Sequence, residues 1–326
     1  MAVVSIVVAA FNAERTIEST LRSVLRQTDQ DFEIAVVDDG SIDRTLDVAL
    51  GLDDDRITVH RQEQQGPAAA RNLGIARTSG QFVCPLDADD LLLPTFLEHM
   101  RSALEGARDA GFAYTDAWTL DDSTGRIRRT SAKAYQRPPT HPPSEPRSFL
   151  RLLLERNFVY GCTLMRRSAL EGVGPYAEDL RHGEDYELWL RIVAYNHRAV
   201  RVTGRLAVYR EGQLASLSAD VHRMLEAQVR IYERVAASYP VDESIRTAAS
   251  ERADQLRLAL SAPSAGDIRE TRSRVLRAAL RRAREPFHWH RTRPPEIESL
   301  LAATEGWPAS AGITRPARDP ARTVLN

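Results

Sequence analysis

The sequence predicts an α/β protein with a mostly parallel, doubly wound central sheet. Over the first 90 residues, four short apolar runs alternate with three segments of helical periodicity. Strands that alternate with helices in this way form parallel sheets with right-handed crossovers. Polar residues follow three of the four runs, at the edge where open α/β sheets bind ligands.

The first two strand and helix units follow from their residue patterns. Residues 3–10 form a β-branched run, and residues 14–27 place four aliphatic side chains on one helical face. Residues 32–37 form a second buried run, which ends at two acids. Asp43 is suited to N-cap a helix that reaches residue 52.

Two further strands lead to the most acidic segment of the chain. Residues 56–60 predict a third strand, and residues 66–74 open a third helix that closes near Gly80. The apolar run 82–86 predicts a fourth, buried strand. Its carboxyl end carries, in order, Asp87, Ala88, Asp89 and Asp90.

Between residues 111 and 192 the sequence predicts both strands and helices, without the regular alternation of the first 90 residues. It predicts strands at 111–116, 126–130 and 159–165, and helices at 149–156 and 183–192. Residues 136–147 hold five prolines and therefore predict a surface loop, which is either a passive connector or a lid over an acceptor.

The composition indicates a soluble globular protein. Of 326 residues, 43% are apolar and 27% are charged, and the net charge of −1 argues against nucleic-acid binding. Cys84 and Cys162 lie in apolar runs and are predicted to be buried free thiols. No run of about 18 apolar residues predicts a membrane span, and the apolar start lacks a basic n-region. We therefore expect a cytoplasmic protein.

The Asp-x-Asp segment has two interpretations. Carboxylates at Asp87 and Asp89 on a turning backbone can face one hard cation, Mg²⁺ or Mn²⁺, that also holds a diphosphate. Alternatively, the acids cap a helix at 94–105 with Pro94 in its first turn. These residues alone do not decide between the two.

Glu184 and Asp185 follow a glycine and begin an amphipathic helix. Acids there complement the positive end of the helix dipole. Alternatively, one of them is a general base aimed at an incoming hydroxyl.

Two common nucleotide-binding motifs are absent. No glycine-rich G-x-G-x-x-G follows the first strand, which argues against a nicotinamide or flavin dehydrogenase. No G-x-x-x-x-G-K-[ST] occurs, so a P-loop kinase or ATPase is unsupported.

Taken together, five stretches resemble the inverting family-2 glycosyltransferases of the GT-A fold. They are VVAAFN at 7–12, VVDDGSID at 36–43, GPAAARNLG at 66–74, LDADD at 86–90 and GEDYELWLR at 183–191. The resemblance covers about residues 1–218. It implies a GT-A fold, Rossmann-like, with a mostly parallel sheet flanked by helices.

The resemblance also implies roles for individual residues. Asp185 corresponds to the catalytic base and Asp89 to the metal-binding acid. The residues implied at the donor site are Ala9, Phe11 and Asn12 beside the base, Asp38 or Asp39 on the base, Arg71 on the diphosphate side, and Asp87, Ala88 and Asp89 of the acidic segment. Glu184, Arg210 and Ser216 are implied as supporting residues.

The chain departs from the family pattern after Arg210. Many relatives carry Tyr-Arg-x-His, whereas Glu211 and Gly212 follow here, so the cation is expected to be held by Asp89, diphosphate and water. Ser216 belongs to a Ser-x-Ser that is either a loop closing over the donor or an ordinary loop.

The last third of the sequence differs from the rest in composition. Residues 219–303 predict an arginine-rich helical appendage, with helices at 221–237, 243–260 and 267–284. Within 269–293, nine arginines stand against two acids. This helix either packs on the catalytic domain or a second subunit, as in a homo-oligomer, or lies on the inner face of an anionic membrane. Residues 304–326 predict a poorly ordered tail.

The sequence thus predicts a metal-dependent inverting glycosyltransferase. The expected donor is a UDP-sugar, with dTDP- or GDP-sugars as alternatives, and the acceptor is a hydroxyl in a polysaccharide, glycolipid or other glycoconjugate. A second hypothesis is a GT-A-fold module that binds a nucleotide sugar without turnover. A third, a nucleotidyltransferase, requires a basic glycine-rich loop that residues 9–15 lack.

Overall fold

The computed structural model describes residues 2–122, 124–128, 132–211, 221–261 and 294–305. The helices and strands in these ranges are β1 (Val4–Ala10), α1 (Ile17–Leu25), β2 (Phe32–Asp38), α2 (Thr45–Leu50), β3 (Ile57–Arg61), α3 (Pro67–Ala76), β4 (Phe82–Asp87), β5 (Leu91–Leu92), α4 (Phe96–Glu105), β6 (Ala110–Asp121), β7 (Arg126–Ile127), α5 (Pro146–Glu155), β8 (Thr163–Arg166), α6 (Arg167–Val173), α7 (Glu184–Ala194), β9 (Arg198–Glu211), α8 (Val221–Ser238), α9 (Glu243–Leu260) and α10 (Pro295–Glu305).

The strands form one mixed sheet in the order β3-β2-β1-β4-β8-β6-β9-β5, with β7 paired to β6. Strands β3, β2, β1 and β4 are parallel, as the alternating sequence pattern predicts. Beyond β4 the sheet is mixed, because β8 runs antiparallel to both β4 and β6, while β9 is parallel to β6. The predicted α/β class is confirmed, and the mixed half adds strands that the pattern did not separate.

Helices pack on the parallel half, and its inner strands β1, β2 and β4 are buried along most of their length, whereas the edge strand β3 is partly exposed. The close approach of α3 depends on Gly74. A Cβ atom at this position would stand 2.4 Å from Val7 Cγ1 and 3.3 Å from Val37 Cγ2. Real Cβ contacts are not that short, so only glycine lets α3 lie this close to β1 and β2.

The structure corrects several predicted elements. Helix α4 starts at Phe96 with Thr95 as N-cap, and β5 separates it from Asp90. The interpretation of the acidic segment as a helix cap is therefore wrong. Strand β8 is shorter than the predicted run 159–165, and α5 starts at Pro146, capped by the Glu145 carboxylate. Helices α6 and α10 and strand β9 were not predicted.

The C-terminal helices pack on the rest of the chain. Helices α8 and α9 share one hydrophobic cluster with α5 and α7, in which Ile231 and Leu256 meet Leu153 and Trp189. Helix α10 packs against β5 and β9 through Ile297, Leu300 and Leu301. The predicted helix 267–284, the arginine-rich stretch 269–293 and residues 306–326 lie outside the described residues.

Two smaller predictions can be compared directly with the described residues. Cys84 and Cys162 are free and buried, as expected from their apolar surroundings. Among the described helices, none is both long and apolar enough to cross a membrane.

Candidate active site

The carboxyl ends of the parallel strands form one rim. The register pairs Ala10 with Asp38 between β1 and β2, and Ala9 with Asp87 between β1 and β4. Strand β3 brings Arg61 opposite Asp38. The polar residues expected at three strand ends therefore lie side by side at one edge of the sheet.

The two predicted donor residues that follow β1, Phe11 and Asn12, differ in their contacts. The Phe11 side chain is 44% exposed, which leaves its ring available for stacking. Asn12 adopts a left-handed backbone conformation, with φ of 49°. Its Oδ1 accepts a hydrogen bond from Ile42 N at 3.0 Å, and its own N–H donates to Ser41 Oγ at 2.9 Å. The Asn12 side-chain oxygen therefore holds two loops of the rim together.

Asp38 and Asp39 also differ in their partners. Asp39 is buried, and its carboxylate accepts from Gln62 Nε2 and from the backbone N–H groups of Gln65 and Gly66, all within 2.8 Å. It therefore orders the loop that leads into α3. Asp38 Oδ1 accepts from a loop N–H, and its Oδ2 lies 3.4 Å from Arg61 Nε without accepting a hydrogen bond from any described residue. Asp38 retains the freer acceptor oxygen.

Arg71 joins the two acidic segments of the site. From the buried face of α3, its Nη2 donates to Asp87 Oδ1 at 2.6 Å and its Nη1 to Glu184 Oε1 at 2.5 Å. Its guanidinium also lies 5.5 Å from the centre of the Tyr176 ring. The two carboxylates outweigh burial and raise the pKa of Arg71 well above its usual range. A permanent charge therefore links the Asp-x-Asp segment to the first turn of α7.

The three aspartates at the carboxyl end of β4 differ in their exposure to solvent. The Asp87 side chain is 51% exposed, Asp89 is half-buried and Asp90 is buried. Burial and the neighbouring charge of Asp87 raise the pKa of Asp89 to about 7. The Asp90 carboxylate accepts from the Tyr160 hydroxyl and, at 3.4 Å, from Arg210 N. Asp90 thus anchors the segment, while Asp87 and Asp89 face outward.

Polar side chains of α1, together with Gln27 just after the helix, hold the backbone of residues 88–93 by hydrogen bonds. Thr20 Oγ1 donates to the Ala88 carbonyl at 3.0 Å, and Leu92 N donates to Ser23 Oγ at 3.1 Å. Gln27 Nε2 donates to the Leu93 carbonyl at 2.8 Å. Sequence reasoning missed these residues because it followed the apolar face of the helix. Their spacing of three and four residues is the signal that could have found them.

Arg210 supports the segment from β9. It is buried, and its guanidinium donates to Asp122 Oδ1 and to Ser19 Oγ, both at 2.9 Å. Its charge opposes the rise in the pKa of Asp89. The other predicted supporting residue, Ser216, lies outside the described residues.

Asp185 is the second residue of α7, and the N-cap of this helix is the left-handed Gly183. Its Oδ1 accepts from Tyr186 N at 2.6 Å, and a Cβ atom built on Gly161 would stand 3.9 Å from its Oδ2. Burial and the adjacent Glu184 raise the pKa of Asp185 to about 6, while Lys133 and Arg71 oppose the rise. Glu184 does more than complement a helix dipole, because it is the partner of Arg71. Lys133, the only lysine of the chain, was missed as a neighbour of this site.

The described residues contain no cluster of three histidine, cysteine or acidic side chains with metal-binding geometry. Any cation at the Asp-x-Asp segment would therefore take most of its ligands from substrate and water. Mg²⁺ binds in this manner beside phosphates, through one or two carboxylates.

Comparison with known proteins identifies the family. A model described as "Glycosyl transferase family 2" matches residues 5–174, more than half of the chain. The chain belongs to this family. The matched part includes Arg71 and the Asp-x-Asp segment, whereas Asp185 and Arg210 lie beyond it.

Two similar proteins of known name belong to polysaccharide or glycolipid synthesis. The chain is 29% identical over 231 residues to the UDP-Glc:alpha-D-GlcNAc-diphosphoundecaprenol beta-1,3-glucosyltransferase WfgD of Escherichia coli, covering 69% of this chain and 83% of that one. It is 32% identical over 259 residues to the succinoglycan biosynthesis protein ExoU of Rhizobium meliloti, covering 74% and 73%.

Solved structures agree on the GT-A fold. TarS of S. aureus in complex with UDP-GlcNAc superposes with a TM-score of 0.64 at 15% identity, covering 93% of this chain and 82% of that chain. The mannosyltransferase PcManGT from Pyrobaculum calidifontis, in complex with GDP-Man and Mn²⁺, gives 0.56 at 19% identity, covering 93% and 79%. The family and the fold class predicted from the sequence are both confirmed.

Proposed function

We propose that this glycosyltransferase is a metal-dependent inverting enzyme that moves a sugar from a nucleoside-diphosphate donor to an acceptor hydroxyl. The observation that carries the proposal is the Arg71 bridge. Its guanidinium holds Asp87 and Glu184 at 2.6 and 2.5 Å, which ties the proposed donor-binding segment to the first turn of α7, the turn that carries the proposed base Asp185.

The donor proposed is a UDP-sugar. The exposed Phe11 ring offers a stacking surface at the end of β1, and the buried Asp38 at the end of the neighbouring β2 has one carboxylate oxygen that accepts no hydrogen bond from the described residues. The UDP-dependent name of one relative and the UDP-GlcNAc bound to TarS support this choice. GDP-Man in PcManGT keeps GDP-sugars as an alternative, together with dTDP-sugars.

The residues present fit Mg²⁺ or Mn²⁺. Asp89 would be the direct ligand and Asp87 its neighbour, and both supply the hard oxygen atoms that these cations prefer. Their mutual repulsion, seen in the raised pKa of Asp89, is relieved by a nearby positive charge. When bound, the cation supplies positive charge against the departing diphosphate. The Mn²⁺ of PcManGT is consistent with this assignment.

Asp185 is proposed as the general base. A carboxyl with a pKa of about 6 is about nine tenths ionised at pH 7 and still basic enough to accept a proton. Asp185 takes the proton of the acceptor hydroxyl as that oxygen attacks the anomeric carbon. Attack on the face opposite the leaving diphosphate inverts the anomeric centre in one displacement. Arg71 fixes the two acidic segments relative to each other throughout.

The acceptor proposed is a sugar hydroxyl in a polysaccharide or glycolipid, used at the cytoplasmic side of a membrane. The names of WfgD and ExoU support this class. The catalytic unit proposed is residues 1–218, with residues 219–303 as its helical appendage. Peripheral membrane contact through 269–293 and homo-oligomerisation remain proposals without support from the described residues.

A thermal-shift titration tests the donor site. UDP, GDP, dTDP and CDP are compared with and without Mn²⁺ on the wild type and on Asp89→Ala, with the exposed Asp55→Ala as matched control. A ligand at a hundred times its dissociation constant stabilises the native state by about 2.7 kcal/mol. We expect a Mn²⁺-dependent shift with UDP that Asp89→Ala loses and Asp55→Ala keeps. If no nucleotide shifts the wild type, the proposed donor site is wrong.

The second candidate is a nucleotide-sugar-binding module without turnover. The missing histidine after Arg210 favours it, because one expected metal ligand is absent. Release of UDP from a UDP-sugar by the wild type, lost in Asp185→Asn, would exclude it.

A further inference from the structure

A second cleft lies beside the start of α7, between the loop 179–182 and helix α8. Its volume is about 510 Å³. The residues that line it are Asp179, Leu180, Arg181, His182, Arg223, Glu226, Ala227 and Arg230. We call it the α8 cleft. The proposed donor site does not use any of these residues.

The α8 cleft ends close to the proposed base. His182 lines it, and Gly183 follows directly as the N-cap of α7. A Cβ atom on Gly183 would stand 3.1 Å from Ile231 Cδ1, one helical turn after Ala227. Helix α8 is therefore packed onto the residue that lies two positions before Asp185. The α8 cleft therefore lies next to the turn that leads into α7, whose second residue is Asp185.

The charges that line the α8 cleft favour an anion. Of its two acids, Asp179 accepts from Arg234, and Glu226 lies 3.5 Å from His222, a pair that carries opposite charges only when the histidine is protonated. Among the described residues, Arg181 and Arg230 have no hydrogen-bond or salt-bridge partner. Arg230 contributes only to lowering the pKa of Asp179 at longer range. Two guanidinium groups without a hydrogen-bond or salt-bridge partner among the described residues therefore line a cleft in which Asp179 is already paired with Arg234.

We propose that the α8 cleft binds the phosphate or diphosphate group of the acceptor. Guanidinium groups bind phosphate oxygens through paired, charge-assisted hydrogen bonds. An acceptor held there by its anionic end directs its sugar toward the start of α7, where Asp185 can take a hydroxyl proton. This assignment rests on the proposed function, because it assumes that Asp185 is the base. The anionic group has two sources, a lipid-linked sugar diphosphate or a free phosphate compound.

Calorimetric titration of the full chain tests the cleft without turnover. The probes are inorganic pyrophosphate and decyl diphosphate below its micellar concentration, first in EDTA and then with saturating UDP and Mg²⁺. The variant Arg181→Gln/Arg230→Gln removes the two cations. Its control, Arg26→Gln/Arg108→Gln, makes the same charge change at exposed arginines on α1 and after α4. Circular dichroism verifies that both variants are folded.

We expect at least one probe to bind the wild type and the control alike, and the cleft variant at least tenfold more weakly. Tighter binding of decyl diphosphate identifies a lipid-borne group, whereas equal binding identifies a free one. Competition by UDP and Mg²⁺ would place the probe in the donor site and overturn the proposal. Failure of both probes to bind, or equal binding by the cleft variant, would also overturn it. If UDP itself fails to bind while pyrophosphate binds through the two arginines, the proposed function falls and the anion site stands.

Discussion

Replacing Asp185 by asparagine is expected to stabilise the fold at neutral pH while it abolishes transfer. The raised pKa of Asp185 means that its ionised carboxylate is less stable in the folded protein than in the unfolded chain. The causes are partial burial and the adjacent negative charge of Glu184. Asparagine has a similar shape without the charge. Loss of a general base lowers the rate by about 100- to 10,000-fold.

The size of the stability change follows from the pKa of Asp185. A rise from 3.8 to about 6 is about two pKa units, which corresponds to about 3 kcal/mol. Because the folded-state value is the higher one, this stability is present below the unfolded pKa and is lost as pH rises through about 6. The wild type should therefore lose about 3 kcal/mol relative to Asp185→Asn between acidic and neutral pH.

Urea denaturation at about pH 4.5 and about pH 7.5 measures the difference. The stability of the variant relative to the wild type should increase by about 2 kcal/mol from the lower to the higher pH, because the unfolded carboxyl is already largely ionised at about pH 4.5. The exposed Asp55→Asn serves as control and should track the wild type at both values. A gap that is constant with pH, or a wild type that gains on the variant as pH rises, would refute the burial argument for Asp185.

Three further predictions concern the surroundings of the site. Glu184→Gln removes the negative neighbour of Asp185, so the acidic limb of the pH–rate profile should move to lower pH by about one unit; an unchanged midpoint would contradict this. Thr20→Val removes the hydroxyl that holds the Asp-x-Asp backbone and should raise the dissociation constant for UDP with Mn²⁺ about tenfold, whereas Thr20→Ser should restore it. Gly74→Ala should destabilise the fold by about 1–3 kcal/mol in urea denaturation, because its Cβ overlaps Val7. Val7→Ala in the same chain should recover part of this loss, and a purely additive pair would count against the predicted overlap.

The parallel half of the fold could be predicted from the sequence because its inner strands β1, β2 and β4 are almost wholly buried. The runs predicted at 3–10, 32–37, 56–60 and 82–86 match β1 to β4 within one residue at either end. Continuous apolar runs of four to eight residues leave little room for another assignment once helices alternate with them.

The mixed half of the sheet was harder to predict, because apolar and polar residues do not alternate regularly along its longest strand, β9. Strand β9 carries arginines at Arg198, Arg201 and Arg205 and a left-handed glycine at Gly204. Its register against β6 shifts three times, so apolar residues do not alternate regularly. Strand β8 keeps only three residues of the seven-residue run 159–165, because the chain bends at Gly161 before it joins the sheet.

For the site, the sequence indicated residue types but not their partners. Arg71 and Glu184 are 113 residues apart, and no local spacing encodes that they share a hydrogen bond. Asn12 and Asp39 were assigned to the donor by resemblance, and their oxygen atoms prove to be committed to loop hydrogen bonds. Such pairings depend on the tertiary fold, which places segments from four strand ends and α7 together.

Helix α1 has a consequence for engineering this protein. Ser19, Thr20 and Ser23 of α1, and Gln27 just after it, are all buried, although polar residues of an amphipathic helix usually face solvent. A stabilisation campaign that fills exposed helix positions with alanine, glutamate and lysine would treat all four as freely exchangeable. It would thereby bury unpaired charges at these positions and remove hydrogen bonds that hold the acidic segment, so such variants should lose both stability and nucleotide binding.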